Sequence, residues 1–199
     1  MPRISADTVA EHVQQQEAAV IRAAAELFAT RGVNDVSLGD IAAEVGLARN
    51  SLYRYFPDKA HIFGAWFRSE LEPLQRASDQ IAADGAPAGE RLERWLHLHL
   101  EYLVAPEHQA MMAAAADGSF LTDDARADIG AGHQELYGTL SCIVSDLLGG
   151  TDPSGERDAR TITMLITGLL RSAADLVIGG SDRREVAGEL TRVALAACA

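Results

Sequence analysis

Apolar residues recur along most of this chain at intervals of three and four positions, the spacing that places them on one face of an α-helix. The sequence shows no sustained alternation of apolar and polar residues and no turn-rich hairpin signals of the kind that mark β-strands. The pattern therefore predicts an all-α protein of about nine helices.

Three of these helices fall within the first 57 residues, for which we predict a separate N-terminal domain (1–57). The second helix follows Ser37, because a serine with an acid three residues later has the spacing of a capping box, and it ends at Gly46. After a tight turn, the third helix continues until Pro57, which lacks the amide hydrogen that a helix needs. Two short helices joined by a glycine-containing turn indicate a helix-turn-helix.

The third helix carries side chains suited to reading DNA. Arg49 and Asn50 lie in its first turn, and in a major-groove helix arginine matches guanine while asparagine matches adenine. Ser51 can assist them, and the hydroxyls of Tyr53 and Tyr55 can donate to phosphates. The alternative is that Arg49 and Asn50 are solvated surface residues, but the helix-turn-helix context favours base reading.

Lys59 is the one lysine in the 199-residue sequence, and it follows Asp58, which can cap a fourth helix. A cation and the positive end of that helix then point the same way, which predicts a phosphate contact. The formal net charge is −12, but residues 45–59 carry a net positive charge. An acidic body that repels DNA beside a small basic face favours specific docking over loose coating.

The run VSLGDIAAEVGLARNSLYRYFPDKAHIF, residues 36–63, resembles the N-terminal DNA-binding domain of the TetR family of tetracycline-repressor-like regulators. The residues that carry the resemblance are Ile41, Ala42, Gly46, Ser51, Leu52, Tyr53, Tyr55, Phe56 and Lys59. The resemblance implies phosphate contacts from Ser37, Tyr53 and Lys59, and positions at or near the bases for Arg49, Asn50, Ser51 and Tyr55. One difference is Ala48, which stands where the family commonly has a serine cap.

Residues 58–199 are expected to form a second domain that binds a small-molecule effector and dimerises. An aromatic stripe on a predicted helix, Trp95, His99 and Tyr102, has the apolar walls and few polar groups typical of a pocket. The alternative is that the stripe is ordinary core. The full set of candidate pocket residues is Trp66, Trp95, His99, Tyr102, Met111, Met112, Phe120, His133 and Tyr137.

The last two predicted helices, beginning near Asp152-Pro153 and at Asp182, carry apolar faces with small residues that permit close helix approach. Two such helices from each of two subunits would form a four-helix bundle. The candidate interface residues are Ile162, Leu165, Ile166, Leu169, Ala173, Val186, Leu190 and Val193. The alternative is an intramolecular core, although the resemblance to a family that dimerises in this way favours the interface.

The sequence gives no sign of an enzyme, a cofactor or a metal site, because it has no HExxH, phosphate loop or serine elbow. His97 and His99 are two residues apart and therefore point about 200° apart on a helix. The longest apolar stretch, 161–178, is interrupted by Arg171 and Asp175 and is a poor membrane span. Without a signal peptide at the N-terminus, we expect a cytoplasmic protein.

These observations predict a DNA-binding transcriptional regulator. Its partners are double-stranded operator DNA, a second copy of the chain and an unidentified small-molecule effector. We expect a repressor that the effector, bound in the C-terminal domain, releases from its operator. The alternative is a helix-turn-helix architectural or partner-binding factor without a small-molecule pocket.

Overall fold

The computed structural model describes residues 6–115, 118–151 and 158–199, and within these ranges every regular element is an α-helix. The prediction of an all-α protein is confirmed. The helices of the described ranges are α1 (Ala6–Arg31), α2 (Leu38–Glu44), α3 (Arg49–Leu52), α4 (Lys59–Ala83), α5 (Ala88–Val104), α6 (Pro106–Ala114), α7 (Asp123–Thr151), α8 (Ala159–Ile178) and α9 (Arg183–Cys198).

The chain divides into two compact units by the density of its internal contacts. The first unit comprises the described residues of 1–70 and 110–129, and the second comprises those of 71–109 and 130–199. The helix-turn-helix lies wholly in the first unit. The boundary that the sequence predicts after residue 57 stays a prediction.

An aromatic cluster forms much of the core of the first unit. The Phe63 ring lies 5.6 Å from the Trp66 ring at 88° and 5.2 Å from the Phe120 ring at 72°. Phe28 of α1 completes the cluster, with its ring 6.3 Å from Phe63 and 6.2 Å from Trp66. Edge-to-face and tilted pairs at these distances are favourable beyond the apolar area they bury. This cluster holds α1 and the first half of α4 together.

Several helix boundaries differ from the sequence prediction. α3 ends at Leu52 instead of continuing to Pro57, because residues 53–56 form turns after the C-cap at Tyr53. The sequence also predicts that Pro73 kinks or ends α4, and the helix continues through this proline to Ala83. Leu71 and Leu74, on either side of the proline, are both buried.

The N-terminal ends of α8 and α9 are set by aspartate caps. The start predicted at Asp152-Pro153 lies outside the described residues, and the structure begins α8 after Asp158, whose carboxylate accepts from the Arg160 and Thr161 amides. The predicted cap at Asp182 is confirmed, because its carboxylate accepts from the Arg184 and Glu185 amides. Each cap satisfies backbone donors that the helix itself leaves unpaired.

The core of the second unit is formed by apolar faces of α5, α7, α8 and α9. Its members include Trp95, Leu96, Leu140, Ile143, Ile166, Leu170, Leu190 and Ala194. Arg91 of α5 is also buried there and donates to the carbonyls of Ala82 and Ala86 and to the Asp146 carboxylate. Since Ala82 belongs to the last turn of α4, Arg91 satisfies a carbonyl that the helix cannot pair itself.

α8 has the length and apolar composition that would suffice to cross a membrane, and one third of its most apolar window is buried in the second unit. Its buried residues, among them Ile162, Ile166 and Leu170, belong to the core that α5 and α9 share with it. The buried face of α8 therefore contributes its apolar side chains to the core of the second unit.

Two polar side chains of the second-unit core have hydrogen-bond partners inside it. The Trp95 indole donates to Thr139 Oγ1 at 2.9 Å, and the His99 ring stacks on the Trp95 ring with centroids 3.5 Å apart. His99 Nε2 lies 2.8 Å from Ser78 Oγ. Burial lowers the pKa of His99 to about 3, because charged imidazolium is poorly solvated there. His99 therefore stays neutral at physiological pH.

This pKa predicts a pH-dependent loss of stability. In the unfolded chain His99 binds a proton below about pH 6.5, whereas in the folded chain it stays neutral down to about 3, so stability falls as pH decreases through that window. Between pH 7 and pH 5 the wild type should lose about 2 kcal/mol of unfolding free energy that H99Q does not lose. Urea unfolding at the two pH values measures this difference. H97Q, on the same helix, is the control, and equal losses for wild type and H99Q would contradict the assignment.

Candidate functional site

The helix-turn-helix begins with a complete capping box. Ser37 Oγ accepts from the Asp40 amide at 3.2 Å, and the Asp40 carboxylate accepts from the Ser37 amide at 2.8 Å. Hydrogen bonds from Ser37 lower the pKa of Asp40, so the box stays intact at neutral pH. The turn that follows α2 passes through Gly46, whose φ of 68° is a left-handed conformation that glycine adopts without strain. The predicted cap and turn are both confirmed.

Apolar residues on one side of the motif are buried and fix its orientation. Ile41 of α2 and Leu52 of α3 are fully buried, and Phe56, just beyond α3, is 8% exposed. The opposite side of α3 is therefore turned to solvent, with Arg49, Asn50 and Tyr53 exposed. Ser51 and Tyr55 are half-buried at the edges of this face.

The exposed face of α3 groups polar side chains one helical turn apart. A guanidinium nitrogen of Arg49 lies 3.5 Å from the Tyr53 hydroxyl, a contact at the limit of hydrogen-bond distance. The guanidinium has five N–H donors, so most of them remain available to a ligand. The arrangement can present a bidentate donor to the edge of a base, as the sequence predicts.

Lys59 has a structural partner that the sequence did not predict. Its ammonium donates to the Val33 carbonyl at 2.6 Å and lies 3.4 Å from the Asn34 carbonyl, which ties the start of α4 to the loop after α1. Asp58 caps α4, as predicted, by accepting from the His61 amide at 2.9 Å. An ammonium has three donors, so the contact with Val33 leaves the predicted phosphate contact chemically feasible.

The predicted pocket residues fall into the two units and do not form one group in either. In the first unit, Trp66 and Phe120 share Phe63 as a neighbour, while Met111 is buried and Met112 is 48% exposed. In the second unit, Trp95 stacks on His99, and both belong to the core, with 0% and 4% of their surfaces exposed.

Three further predicted pocket residues form two ring pairs in the second unit, one of them with a residue that the sequence analysis missed. The Tyr102 ring lies 4.5 Å from the ring of His108, and the His133 ring lies 6.3 Å from that of Tyr137. His108 of α6 is 8% exposed. His108 follows two positions after Pro106, which starts α6, and nothing in this sequence context indicates burial. Its burial is visible only in the tertiary packing.

The residues predicted for the dimer interface face two directions. Ile162, Ile166, Ala173 and Leu190 are buried in the core of their own unit. Leu165 and Leu169 are exposed, and Val186 and Val193 are half-buried on α9. Leu176 of the same helix is also exposed, and the sequence analysis missed two other exposed apolar residues of α8, which are Met164 and Ile178. Leu165 and Ile166 are neighbours on α8, yet Leu165 is exposed on the outer face and Ile166 is buried in the core.

The space between the outer faces of α8 and α9 is an apolar groove of about 400 Å³. Its apolar walls include Leu169 and Leu176 of α8 and Val186 and Val193 of α9. Asp182, Glu185 and Glu189 stand along its α9 side. The groove is thus an apolar strip with an acidic border, to which α8 contributes Leu169 and Leu176.

The fold and this exposed reading face define a helix-turn-helix DNA-binding protein. The profile of the family described as bacterial regulatory proteins, tetR family, matches residues 20–66. Residues 20–66 are therefore a DNA-binding domain of the TetR type, and the chain is similar to transcriptional regulators of that family. The resemblance seen in residues 36–63 is confirmed.

Curated relatives agree with this assignment. The chain is 45% identical over 58 residues to MftR of Mycobacterium tuberculosis, a proposed mycofactocin biosynthesis transcriptional regulator, in a match that spans 29% of each protein. It is 29% identical over 155 residues to an uncharacterized HTH-type transcriptional regulator of the same species, which covers 76% of this chain and 72% of the relative.

A solved structure has the same fold over most of the length of this chain. FadR from Bacillus subtilis, in complex with stearoyl-CoA, superposes with a TM-score of 0.73 at 18% identity, covering 90% of this chain and 97% of that one.

The unusual cap of α3 predicts a simple gain of stability. Ala48 occupies the N-cap with extended backbone angles (φ −67°, ψ 141°), and its methyl group cannot accept a hydrogen bond. A48S supplies an acceptor for an unpaired amide of the first turn and should raise the free energy of unfolding by about 1 kcal/mol. Urea unfolding measures this change. A43S, an exposed site inside α2, should give no gain, and equal effects of the two variants would contradict a capping role.

Proposed function

We propose that this protein is a cytoplasmic repressor that binds its operator as a homodimer and leaves it when a small molecule binds. The observation that carries the DNA-binding half is the exposed face of α3, where Arg49 and Asn50 stand in the first turn. The first turn of a recognition helix is the part that reaches base edges in helix-turn-helix proteins. The match to the tetR family profile supports the same role for α3.

Contacts to the bases and to the phosphates are proposed for different residues. Arg49, Asn50, Ser51 and Tyr55 would lie at or near the bases, and Ser37, Tyr53 and Lys59 would hold phosphates. The net charge of −12 leaves little general attraction for DNA. Specific base contacts therefore have to supply a large share of the difference between operator and random DNA.

The contact proposed for Arg49 has a test in sequence specificity. R49A should cost about 1 to 3 kcal/mol on the operator and relax the preference for one guanine in each half-site, because a bidentate contact is lost. Fluorescence anisotropy with operators that carry each base at that position measures the effect. R76A removes an equal charge from α4, outside the motif, and serves as control. If R49A weakens operator and random DNA equally, the base contact is wrong.

The proposed dimer rests on the exposed apolar face of α8. Leu165 is 60% exposed, Leu176 is 55% exposed and Leu169 is 36% exposed, in a helix whose other side is core. Contiguous exposed apolar surface of this kind marks interaction sites in soluble proteins. A second copy of α8 and α9 would complete a four-helix bundle and place two recognition helices about 34 Å apart, or a multiple of one DNA turn.

Replacing one exposed residue of this face should break the dimer without unfolding the subunit. L165E places a charge in the proposed interface, and sedimentation should then show monomers at micromolar concentration where the wild type is dimeric. Circular dichroism should show unchanged helicity, since Leu165 lies outside the core. M112E, at an exposed apolar site in the first unit, is the matched control. A well-folded wild-type monomer would overturn the dimer.

The effector half of the proposal draws on the fold that this chain shares with ligand-bound regulators. The similar structure from Bacillus subtilis is a complex with stearoyl-CoA, and another, from Saccharomonospora viridis, is a complex with choline. These two ligands differ greatly in chemistry, so they support the binding of an effector in general but do not identify the effector of this chain. An effector with a coupling of about 1 to 3 kcal/mol would weaken operator binding about 5- to 150-fold.

The alternative is a helix-turn-helix factor without a pocket. It is favoured by the packing of Trp95 and His99, which have partners inside the core. A melting screen with small molecules separates the two functions, because a ligand that binds the folded state raises its apparent stability.

A further inference from the structure

His108 is a buried polar residue whose hydrogen bonding is incomplete. It lies on α6 with 8% of its surface exposed, and its Nδ1 atom has no hydrogen-bond partner within the described part of the chain. A buried donor or acceptor without a partner costs about 1 to 3 kcal/mol. Such an atom in a native protein calls for a specific explanation, of which a bound molecule is one.

The surroundings of His108 are those of a binding site. The Tyr102 ring of α5 lies 4.5 Å from the His108 ring at 51°. His133 of α7 is close enough to influence the charge of His108, and the Tyr137 ring lies 6.3 Å beyond it. These four residues, which we name the His108 cluster, come from three helices of the second unit. They combine aromatic faces with several hydrogen-bonding groups.

Tyr137 is the member of the His108 cluster that borders open space. It lines a groove of about 390 Å³ whose other walls come from α8 and are Thr163, Met164, Thr167, Gly168 and the charged Arg171. This volume is within the range of small-molecule sites. Access to His108 from this groove, past Tyr137 and His133, is part of the proposal made below.

The charge state of His108 selects among ligand classes. Burial, and after it the electrostatic influence of the nearby His133 ring, lower the pKa of His108, so its imidazole is neutral near pH 7. A carboxylate gains most from a charged partner, which a neutral imidazole does not supply. A quaternary ammonium has no hydrogen-bonding group and leaves Nδ1 unpaired. A hydroxyl both donates and accepts, so it can pair with Nδ1 in either tautomer.

We propose that the His108 cluster is the polar end of the effector site, and that the effector is an uncharged apolar molecule carrying a hydroxyl group that hydrogen-bonds to His108 Nδ1. The assignment of this ligand as an effector rests on the function proposed above. Tyr102 and Tyr137 supply ring faces for the apolar body of the ligand. Trp95 and His99, which the sequence suggested for this role, are core residues that support the site from behind.

Matched probes test the ligand class by direct binding in the absence of DNA. 4-Ethylphenol, ethylbenzene, 4-ethylbenzoate and (4-ethylphenyl)trimethylammonium share an apolar body and differ in the head group. Calorimetric titration of the full chain should show the phenol binding about tenfold more tightly than each of the others. Equal or tighter binding of the carboxylate, the ammonium or the hydrocarbon, or failure of the phenol to bind, would overturn the proposal.

Two further measurements locate the hydroxyl at His108. H108F keeps a ring of similar size but removes Nδ1, and it should lose the advantage of the phenol over ethylbenzene, whereas H97N should keep it. In the wild type labelled with ¹⁵N-histidine, the His108 Nδ1 resonance should move on addition of the phenol, a result that does not depend on the folding of a variant. An unmoved resonance, or an unchanged preference in folded H108F, would place the ligand elsewhere.

Anisotropy of labelled operator with 4-ethylphenol present separates this proposal from the proposed function. A phenol that binds at His108 and leaves operator affinity unchanged contradicts the effector role but supports the site. Release of the operator by a molecule that leaves the His108 resonance unmoved supports the repressor function and contradicts the site.

Discussion

The position of α3 depends on burial of a few apolar side chains, because this helix has four residues and cannot be stable alone. Ile41 and Leu52 are fully buried against the first unit, and this packing positions Arg49 and Asn50 on the solvent side. The contact from Lys59 to the Val33 carbonyl fixes the segment that follows. The DNA-binding surface is thus a product of tertiary packing and not of helix propensity.

The two units use polar groups in different ways. In the first unit Arg49 and Asn50 of α3 are exposed to solvent, where the proposed contacts with DNA would replace water. In the core of the second unit, Trp95 donates a hydrogen bond to the Thr139 hydroxyl, and His99 forms a hydrogen bond with Ser78. Burial keeps His99 neutral. His108 differs from His99 in having a ring nitrogen without a protein partner in the described ranges. A satisfied polar group stabilises a core, whereas an unsatisfied one is a place where a ligand gains affinity.

α8 shows why apolar composition alone does not define a role. Its sequence is compatible with a membrane span, a core helix or an interface helix. The structure buries Ile162 and Ile166 and exposes Leu165 and Leu176, so one helix serves a core on one side and offers an apolar surface on the other. With an acidic border on α9, that surface is matched to a partner that is apolar at its centre.

The sequence by itself determined the all-helical class, the capping box at Ser37 and the turn at Gly46, because caps, turns and periodicity are local signals. The tertiary structure decided which apolar residues are core and which are surface, since neighbouring positions on a helix differ only in the partner that faces them. It also gave Lys59 its contact with Val33, 26 residues away, and left Nδ1 of His108 without a partner in a buried position. Neither fact has a sequence signal, because each depends on groups that only the folded chain brings together.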